Sequence, residues 1–329
     1  MALADWLPTS GSGAPSRHLG QVATAFIFGW GVWYALVLRK AALSRRPWGP
    51  RWLAISLSSS LYRFGCWWLN FSHNAEEAIK AGTWGPGKQY VMVWHPHGAF
   101  TISALYFFSY FWARDYPGGT RGDRYVCVAP LLLRIPFLAE FLLLCHARSQ
   151  DSRTFSGLLE SGATVAIQPG GLAEQVATDH TAERIFFPPR LGFIRLALKH
   201  GVPLLPVYAF GENQLYKTNS WTRRLNGWFY KNLGAGTLVV LGQGGVPNSP
   251  ILPNPLMLPR RGSLHIRFGE PVHLGPKEEN PSDERVHQAF RLYLAALRNL
   301  FDAYKDECLP PEVAASGLSV VERSASTRR

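Results

Sequence analysis

The chain has 329 residues, of which 47% are hydrophobic, and its formal net charge is +12. This apolar content is sufficient for a buried core, so the composition excludes a chain that is disordered throughout. The positive charge predicts an anionic partner, either a phosphate-bearing ligand or an anionic membrane surface, whereas nucleic acid is not expected, because the basic residues are scattered and form no nucleic-acid-binding motif.

The N-terminal region has the features of a membrane anchor. Residues 1–18 are small and polar and are predicted to be a disordered tail, whereas residues 19–38 are all uncharged and have about the length that a bilayer-spanning helix needs. Basic residues are more frequent after this segment than before it, which by the positive-inside rule places the rest of the chain in the cytosol. The 12 tryptophans also favour a membrane interface. A buried core helix is the alternative interpretation.

A second apolar stretch, residues 52–72, is rich in serine and is interrupted by Arg63. A complete hairpin through the membrane would place the preceding basic cluster in the lumen, so this stretch is predicted to be interfacial or re-entrant. Residues 19–72 are therefore predicted to form the anchor. Residues 73–308 are predicted to form one folded domain, and the polar residues 309–329 a second disordered tail.

From about residue 88 the pattern changes to short strand-like runs separated by helices, which predicts an α/β domain. The predicted strands cover residues 90–94, 125–129, 163–168, 203–208, 237–241 and 264–268. The predicted helices cover residues 152–161, with a serine N-cap, 193–200 and 284–305. Two further helical stretches, 103–112 and 221–233, are rich in aromatic residues, so each is predicted either to pack on the core or to contact lipid.

Two histidines follow the first predicted strand at a sharp turn. His95 and His97 flank Pro96, which restricts the backbone, and Gly98 permits a tight turn or the close approach of a ligand. A metal site is not expected, because no further cluster of histidine or cysteine lies nearby, and no G-x-S-x-G motif indicates a serine hydrolase. The pattern therefore favours a histidine base that activates a hydroxyl brought by a substrate.

Three other predicted strands end in glycine turns, at residues 169–174, 209–213 and 268–271. Because the carboxyl ends of parallel strands form the binding crevice of an α/β sheet, we expect these turns and the histidines to share one rim. Glu174 is a candidate to hold an imidazole or a hydroxyl. The other substrate-binding candidates in these turns are Gly170, Gly171, Gly211, Glu212 and Asn213.

Four motifs resemble, in order and spacing, those of the type 2 diacylglycerol acyltransferase family. They are His-Pro-His-Gly at residues 95–98, Pro-Gly-Gly-Leu-Ala-Glu at 169–174, the run at 190–198, and Phe-Gly-Glu-Asn at 210–213. The resemblance covers roughly residues 95–271 and extends to residues 134–140, where Ala139 replaces a basic residue usual in the family. The family's Tyr-Phe-Pro stretch is not evident before the histidines, and Val93 and Trp94 replace its usual pair, which leaves the acceptor lipid open.

The resemblance implies a glycerolipid-acyltransferase-like sheet with flanking helices, and transfer of a fatty acyl group from acyl-coenzyme A, as co-substrate, to the hydroxyl of diacylglycerol. No cofactor or metal is implied. Monoacylglycerol or a wax alcohol is the alternative acceptor, and a catalytically silent lipid-binding protein is the alternative class. The resemblance also implies the endoplasmic reticulum membrane, with the catalytic domain on the cytosolic side. Lipid droplets and a homo-oligomeric state are further expectations.

Within this resemblance, His97 is expected to take the proton from the acceptor hydroxyl as it attacks the thioester carbonyl. Gly98 beside it lets substrate approach, whereas His95, before the proline, is expected to brace the turn.

Related glycerolipid acyltransferases orient such a histidine with an aspartate four or five residues later. This chain has no carboxylate there, so Glu140 or Glu174 is expected within hydrogen-bond reach of an imidazole. Arg190, Arg195 and Lys199 are expected to attract the phosphates of coenzyme A.

Overall fold

The computed structural model describes residues 14–83, 85, 88–113, 124–234, 236–237, 239–243, 247–248 and 258–323. Its strands are β1 (Ser72–His73), β2 (Val91–His95), β3 (Arg124–Val128), β4 (Ala147–Ser149), β5 (Thr164–Ile167), β6 (Glu183–Phe187), β7 (Leu204–Phe210), β8 (Val240–Leu241), β9 (Pro247–Asn248), β10 (His265–Phe268) and β11 (Leu318–Glu322). Its helices are α1 (Ala14–Trp33), α2 (Arg39–Ala42), α3 (Arg51–Leu69), α4 (Ala75–Lys80), α5 (Ala104–Ala113), α6 (Leu138–Leu144), α7 (Ser152–Glu160), α8 (Gly171–Ala177), α9 (Gly192–His200), α10 (Ser220–Leu233), α11 (Asp283–Cys308) and α12 (Pro311–Ser316). A π-helical turn, Tyr34–Leu38, joins α1 to α2.

A seven-stranded mixed sheet, in the order β1-β10-β7-β2-β5-β3-β4, forms the centre of the protein. The five strands from β7 to β4 are parallel to one another, whereas β10 runs antiparallel to β7. Helices cover both faces, so the predicted α/β domain is confirmed. Five of the six predicted strands lie in this sheet, as β2, β3, β5, β7 and β10. The sixth is shortened to β8, which pairs with β9 in a separate sheet.

The central position of strand β2 in the sheet explains why its sequence carries no charge. Its residues alternate between the two faces of the sheet: Val91 and Val93 pack into one hydrophobic core, and Met92 and Trp94 into the other. A central parallel strand is covered on both faces and therefore reads as a continuous apolar run.

The predicted helices are largely present, with one correction at a cap. Helix α7 is capped by the side chain of Asp151, which accepts a hydrogen bond from the backbone N–H of Thr154 at 2.9 Å, and not by the predicted serine. The first half of α5 is buried, since Tyr106, Phe107 and Phe108 belong to the core. Helix α10 exposes Trp221 and Trp228.

The N-terminal helices α1, α2 and α3 occupy the region that is predicted to form the membrane anchor. Among the described residues, one helical segment, Gly20–Ala42, is long and apolar enough to cross a membrane. Helix α1 begins at Ala14, so the last residues of the predicted N-terminal tail are helical, and residues 1–13 lie outside the described part of the chain. The second apolar stretch forms helix α3, which packs against α5.

The prediction of a disordered tail from residue 309 is wrong up to residue 323. Helix α12 and strand β11 occupy this stretch, and β11 pairs in parallel with β6 over the register Leu318–Glu183 to Glu322–Phe187. The stretch has few large apolar residues, but pairing with β6 satisfies its backbone. The last six residues, 324–329, lie outside the described part of the chain.

Candidate active site

Strands β2, β5 and β7 end at the same edge of the central sheet, because they are parallel neighbours. His95 is the last residue of β2, and a cis peptide bond joins it to Pro96. The turns after β5 and β7 lie beside the histidines, as predicted. The turn at residues 268–271 does not: β10 is antiparallel to β7, so its carboxyl end lies at the opposite edge.

His95 is completely buried and contacts helix α11. Its Nε2 lies 3.2 Å from the hydroxyl of Tyr293, which also donates a hydrogen bond to the carbonyl oxygen of Val93 at 3.3 Å. Burial lowers the pKa of His95 to about 3, so the ring is neutral at physiological pH. A neutral, enclosed imidazole tied to the framework has the geometry expected of a brace.

His97 is partly buried, and its imidazole contacts a hydroxyl instead of a carboxylate. Nδ1 of His97 lies 2.8 Å from Oγ1 of Thr101. The same Oγ1 lies 3.3 Å from Oε1 of Gln168 and 3.1 Å from the carbonyl oxygen of His97. The amide nitrogen of Gln168 donates to the carbonyl oxygen of Pro96 at 2.7 Å.

This network assigns the proton on the His97 ring. Because Gln168 uses its amide nitrogen as a donor to Pro96, its Oε1 faces Thr101 as an acceptor. The hydroxyl proton of Thr101 then points to Oε1 or to the His97 carbonyl, and the hydroxyl oxygen accepts from Nδ1–H. This tautomer leaves Nε2 unprotonated, and none of the described residues hydrogen-bonds to it. Burial lowers the pKa of His97 to about 4, which keeps the ring neutral at physiological pH.

Glu174 holds the backbone of the histidine turn. One carboxylate oxygen accepts a hydrogen bond from the backbone N–H of His97, and the other accepts from the backbone N–H of Phe186 in β6 at 2.8 Å. Burial raises the pKa of Glu174 to about 8, and the two N–H groups oppose this shift. Gly170 packs so tightly here that a Cβ at this position would lie 1.9 Å from the carboxylate. Gly171 follows at a positive φ of +58°.

The expectation that Glu140 or Glu174 contacts an imidazole is therefore wrong. Glu174 contacts the backbone N–H of His97 instead of its ring, and Glu140 accepts a hydrogen bond from the indole of Trp33 at 3.1 Å. The residue missed from the sequence is Thr101, four positions after His97, with Gln168 behind it. Thr101 has the four-residue spacing expected for a carboxylate partner of the histidine, but the group that contacts the ring is a hydroxyl.

The turn after β7 binds the segment that follows the histidine turn through backbone hydrogen bonds. Glu212 accepts hydrogen bonds from the backbone N–H groups of Ile102 and Ser103 at 2.7 and 2.6 Å, and burial raises its pKa to about 7. Gly98 has a φ of +61°, and a Cβ there would lie 2.5 Å from the side chain of Glu212. These contacts place the predicted substrate-binding residue Glu212 within the framework.

Two more predicted substrate-binding residues also lie within the framework. Asn213 donates to the carboxylate of Glu183 at 2.9 Å, and that carboxylate also accepts from Tyr208 at 2.7 Å. A Cβ on Gly211 would lie 2.1 Å from the carbonyl oxygen of Ser263. No room is left for a ligand at these atoms of Gly211 and Asn213.

An open cavity of about 790 Å³ adjoins the histidine network at Gln168, Pro169 and Gly171. Its wall includes three basic side chains: Arg153, Arg195 and Lys199. Arg195 is bound to Asp283 and to the carbonyl oxygen of Pro281. Two of the three cations predicted to attract phosphates therefore line one cavity, while Arg190 is not part of its lining.

The family model for diacylglycerol acyltransferase matches residues 77–314 of this chain. The chain belongs to the diacylglycerol acyltransferase family. It is 32% identical over 260 residues to acyl-CoA wax alcohol acyltransferase 2 of Mus musculus, which covers 74% of this chain and 75% of that protein. It is 30% identical over 244 residues to diacylglycerol O-acyltransferase 2B of Umbelopsis ramanniana, which covers 69% of this chain and 67% of that protein.

A third relative in the diacylglycerol acyltransferase family is 2-acylglycerol O-acyltransferase 1 of Bos taurus, 28% identical over 245 residues, which are 71% of this chain and 70% of that protein. Among solved structures, the 1-acyl-sn-glycerophosphate (LPA) acyltransferase PlsC of Thermotoga maritima matches with a TM-score of 0.42 and 14% identity, over 87% of this chain and 97% of that one. The family membership makes this chain an acyl-CoA-dependent O-acyltransferase of lipid biosynthesis.

Proposed function

We propose that this protein transfers a fatty acyl group from acyl-coenzyme A to the free hydroxyl of diacylglycerol, giving triacylglycerol. The observation that carries the proposal is the neutral His97, whose network leaves Nε2 as an acceptor and reaches, through Thr101 and Gln168, the wall of a cavity that carries three basic side chains. Diacylglycerol is the preferred acceptor because the matching family model carries that name.

The reaction needs one base and no covalent enzyme intermediate. Nε2 of His97 takes the proton from the acceptor hydroxyl as its oxygen attacks the thioester carbonyl carbon. The tetrahedral intermediate collapses, the carbon–sulfur bond breaks, and the imidazolium returns the proton to the coenzyme A thiolate. Thr101 accepts a hydrogen bond from Nδ1–H throughout and so favours both the reactive tautomer and the imidazolium that forms.

The basic cavity supplies the place for coenzyme A. Lys199 and Arg153 offer positive charge to its phosphates, and Gln168 joins this wall to the histidine network. A ligand that fills the cavity would therefore present its thioester near His97. Arg195 contributes mainly through its contacts with Asp283 and Pro281, which position the loop before α11.

A wax alcohol is the second candidate acceptor. The supporting observation is the 32% identity to acyl-CoA wax alcohol acyltransferase 2, over three quarters of that protein. We place the enzyme in the endoplasmic reticulum membrane and on lipid droplets, with the catalytic domain in the cytosol. The segment Gly20–Ala42 would serve as the anchor.

The test is expression of the full chain in cells that lack neutral-lipid synthesis, with the ester products identified by mass spectrometry. Membranes from these cells are then given acyl-coenzyme A with diacylglycerol, monoacylglycerol or a long-chain alcohol. Triacylglycerol as the main product supports the proposal, and a wax ester selects the second candidate. The absence of any new ester would leave only the catalytically silent alternative.

Two histidine variants complete this test. His97→Ala is expected to lower kcat by about 10²–10⁴-fold, the usual contribution of a general base. His287→Ala is the matched control, because His287 is exposed on α11 and bonds only to the carbonyl oxygen of Asp283 in its own helix. Full activity in His97→Ala would rule out His97 as the base.

A further inference from the structure

The segment between β3 and α6, residues 129–137, exposes large apolar side chains; we call it the β3–α6 loop. Leu131 is 64% exposed and Phe137 is 75% exposed, and Leu132 and Ile135 are exposed beside them. Scattered single hydrophobic residues on a surface are ordinary, but four within seven residues of one loop form a continuous patch.

The backbone of this loop is strained at Phe137, the residue with the most exposed ring. Phe137 has a φ of +64°, a left-handed conformation that is unfavourable for a residue with a Cβ. Burial of the ring in the protein core does not offset this strain, because the side chain is exposed. Exposure of the ring to water is unfavourable and contact with an apolar surrounding is favourable, so nothing in an aqueous setting offsets the strain at this residue.

The β3–α6 loop is continuous with the candidate membrane helix. The ring of Phe137 stacks on that of Phe26 in α1 at a centroid distance of 6.1 Å, and the indole of Trp30 donates to the carbonyl oxygen of Arg134 at 3.3 Å. Ile27 and Phe28 on α1 are about 70% exposed. Loop and helix therefore share one apolar surface, and it includes the described helix that could cross a membrane.

The loop also lies on the catalytic rim. It follows the carboxyl end of β3, which is parallel to β5, which in turn is parallel to β2. It is thus at the same edge of the sheet as His97, two strands away, or about 10 Å at the usual strand spacing. A lipid surface that contacts the loop would face the histidine turn.

We propose that the β3–α6 loop inserts into the bilayer beside α1. Leu131, Leu132, Ile135 and Phe137 contact acyl chains, and the exposed Arg134 contacts anionic headgroups. The insertion turns the catalytic rim toward the membrane, so that the acceptor lipid enters from the bilayer. This last step rests on the proposed function, whereas the insertion itself does not.

Depth of insertion is measured with variants of the full chain that each carry one exposed cysteine. Cys66 is the exposed cysteine, and Cys127, Cys145 and Cys308 are buried, so Cys66→Ser gives a background with little labelling. Leu131→Cys and Phe137→Cys are labelled with an environment-sensitive fluorophore and reconstituted in phosphatidylcholine–phosphatidylserine vesicles. Leu292→Cys is the control, because Leu292 is 49% exposed on α11, outside the loop and α1.

We expect blue-shifted emission and quenching by lipids with spin labels in their acyl chains at positions 131 and 137, and neither at position 292. Labels that stay in water at both loop positions would overturn the proposal. Cross-linking between two copies through position 131, with no quenching by lipid, would also overturn it and would assign the surface to self-association.

A kinetic test uses two variants that preserve folding. Phe137→Gly suits the positive φ and removes the ring, and Leu131→Asp changes a side chain that is already exposed. Each is expected to raise the apparent KM for acceptor presented in vesicles by about tenfold, since one buried apolar side chain contributes at least that factor in binding. The KM for acceptor dispersed in detergent should not change. An unchanged KM on vesicles in both variants would contradict the role in lipid entry.

The two measurements separate the failure of this proposal from the failure of the proposed function. Quenching does not depend on turnover, so a chain that makes no ester can still show an inserted loop. An active enzyme whose labels remain in water would refute the insertion and leave the acyl transfer standing.

Discussion

Replacing Thr101 separates the activity of the site from the stability of the fold. Thr101→Ala removes the hydroxyl that accepts from Nδ1–H of His97, while Thr101→Ser retains it. The bond is present throughout the reaction and strengthens by about 1 kcal/mol when the neutral ring becomes an imidazolium, so its loss corresponds to roughly a fivefold loss in kcat. The KM for acyl-coenzyme A should stay unchanged, because the hydroxyl faces the histidine and not the cavity.

The backbone at this residue adds a second expected effect. Thr101 has a φ of +52°, which is rare for a β-branched residue and costs about 1–2 kcal/mol. Thr101→Gly and Thr101→Ala both lose the hydroxyl, but only glycine relieves the strain, so Thr101→Gly should have a free energy of unfolding about 1 kcal/mol higher than that of Thr101→Ala, with an equal loss of kcat. Equal stability of the two variants would show that the backbone at residue 101 is not strained.

The assay is steady-state turnover by the purified enzyme in detergent, together with thermal unfolding of each variant. Gln168→Leu removes the acceptor behind Thr101, so its effect on kcat should not add to that of Thr101→Ala in a double-mutant cycle. Full kcat in Thr101→Ala, or a loss that Thr101→Ser does not restore, would refute the assigned tautomer. Additive effects of the two substitutions would show that Gln168 does not act through Thr101.

Three further predictions address the cavity, a buried carboxyl group and the last strand. Lys199→Ala should raise the KM for acyl-coenzyme A about fivefold at low salt and less at high salt, whereas Arg190→Ala, outside the cavity lining, should leave it unchanged; equal effects would contradict the phosphate assignment. Burial raises the pKa of Glu212 from 4.5 to about 7, so the folded state keeps a proton that the unfolded chain releases, and stability falls as pH rises from 4.5 to 7. Glu212→Gln should reduce this loss, measured as the difference in free energy of unfolding between pH 4.5 and 8, and an unchanged difference would contradict the shift. Ending the chain at Gly317 removes β11 and should lower the unfolding temperature, since each hydrogen bond lost to β6 costs about 1 kcal/mol; an unchanged temperature would show that the pairing adds nothing.

Much of the central sheet could be predicted because its strands are apolar and buried on both faces. Two of the strands that the sequence does not predict, β4 and β6, contain buried charges that the fold satisfies internally. In β4, Arg148 is fully buried and donates to the carbonyl oxygens of Ser44 and Ala147 at 2.8 and 2.6 Å. In β6, Glu183 is buried and accepts from Tyr208. From the sequence alone, charged residues such as these indicate solvent exposure, because their buried partners cannot be seen.

The candidate site was predictable at the level of motifs and less so at the level of contacts. The histidine turn and the turns after β5 and β7 do come together, because parallel strands end at one edge. The role of each glutamate depends on which backbone N–H groups its carboxylate binds. The spacing of residues in the sequence does not show these partners. The sequence does not indicate the role of Thr101, because a threonine hydroxyl can donate or accept and only its neighbours, here Gln168 and the His97 carbonyl, show that it accepts from the imidazole.

Glu174 joins parts of the chain that are far apart in sequence. Its carboxylate binds the backbone of the histidine turn on one side and β6 on the other, and β6 pairs with β11 near the end of the chain. The C-terminal strand and the catalytic turn are thus connected through one side chain. A bulky fusion placed directly after Glu322, or proteolysis between α12 and β11, would act on the position of His97 without touching any residue of the rim.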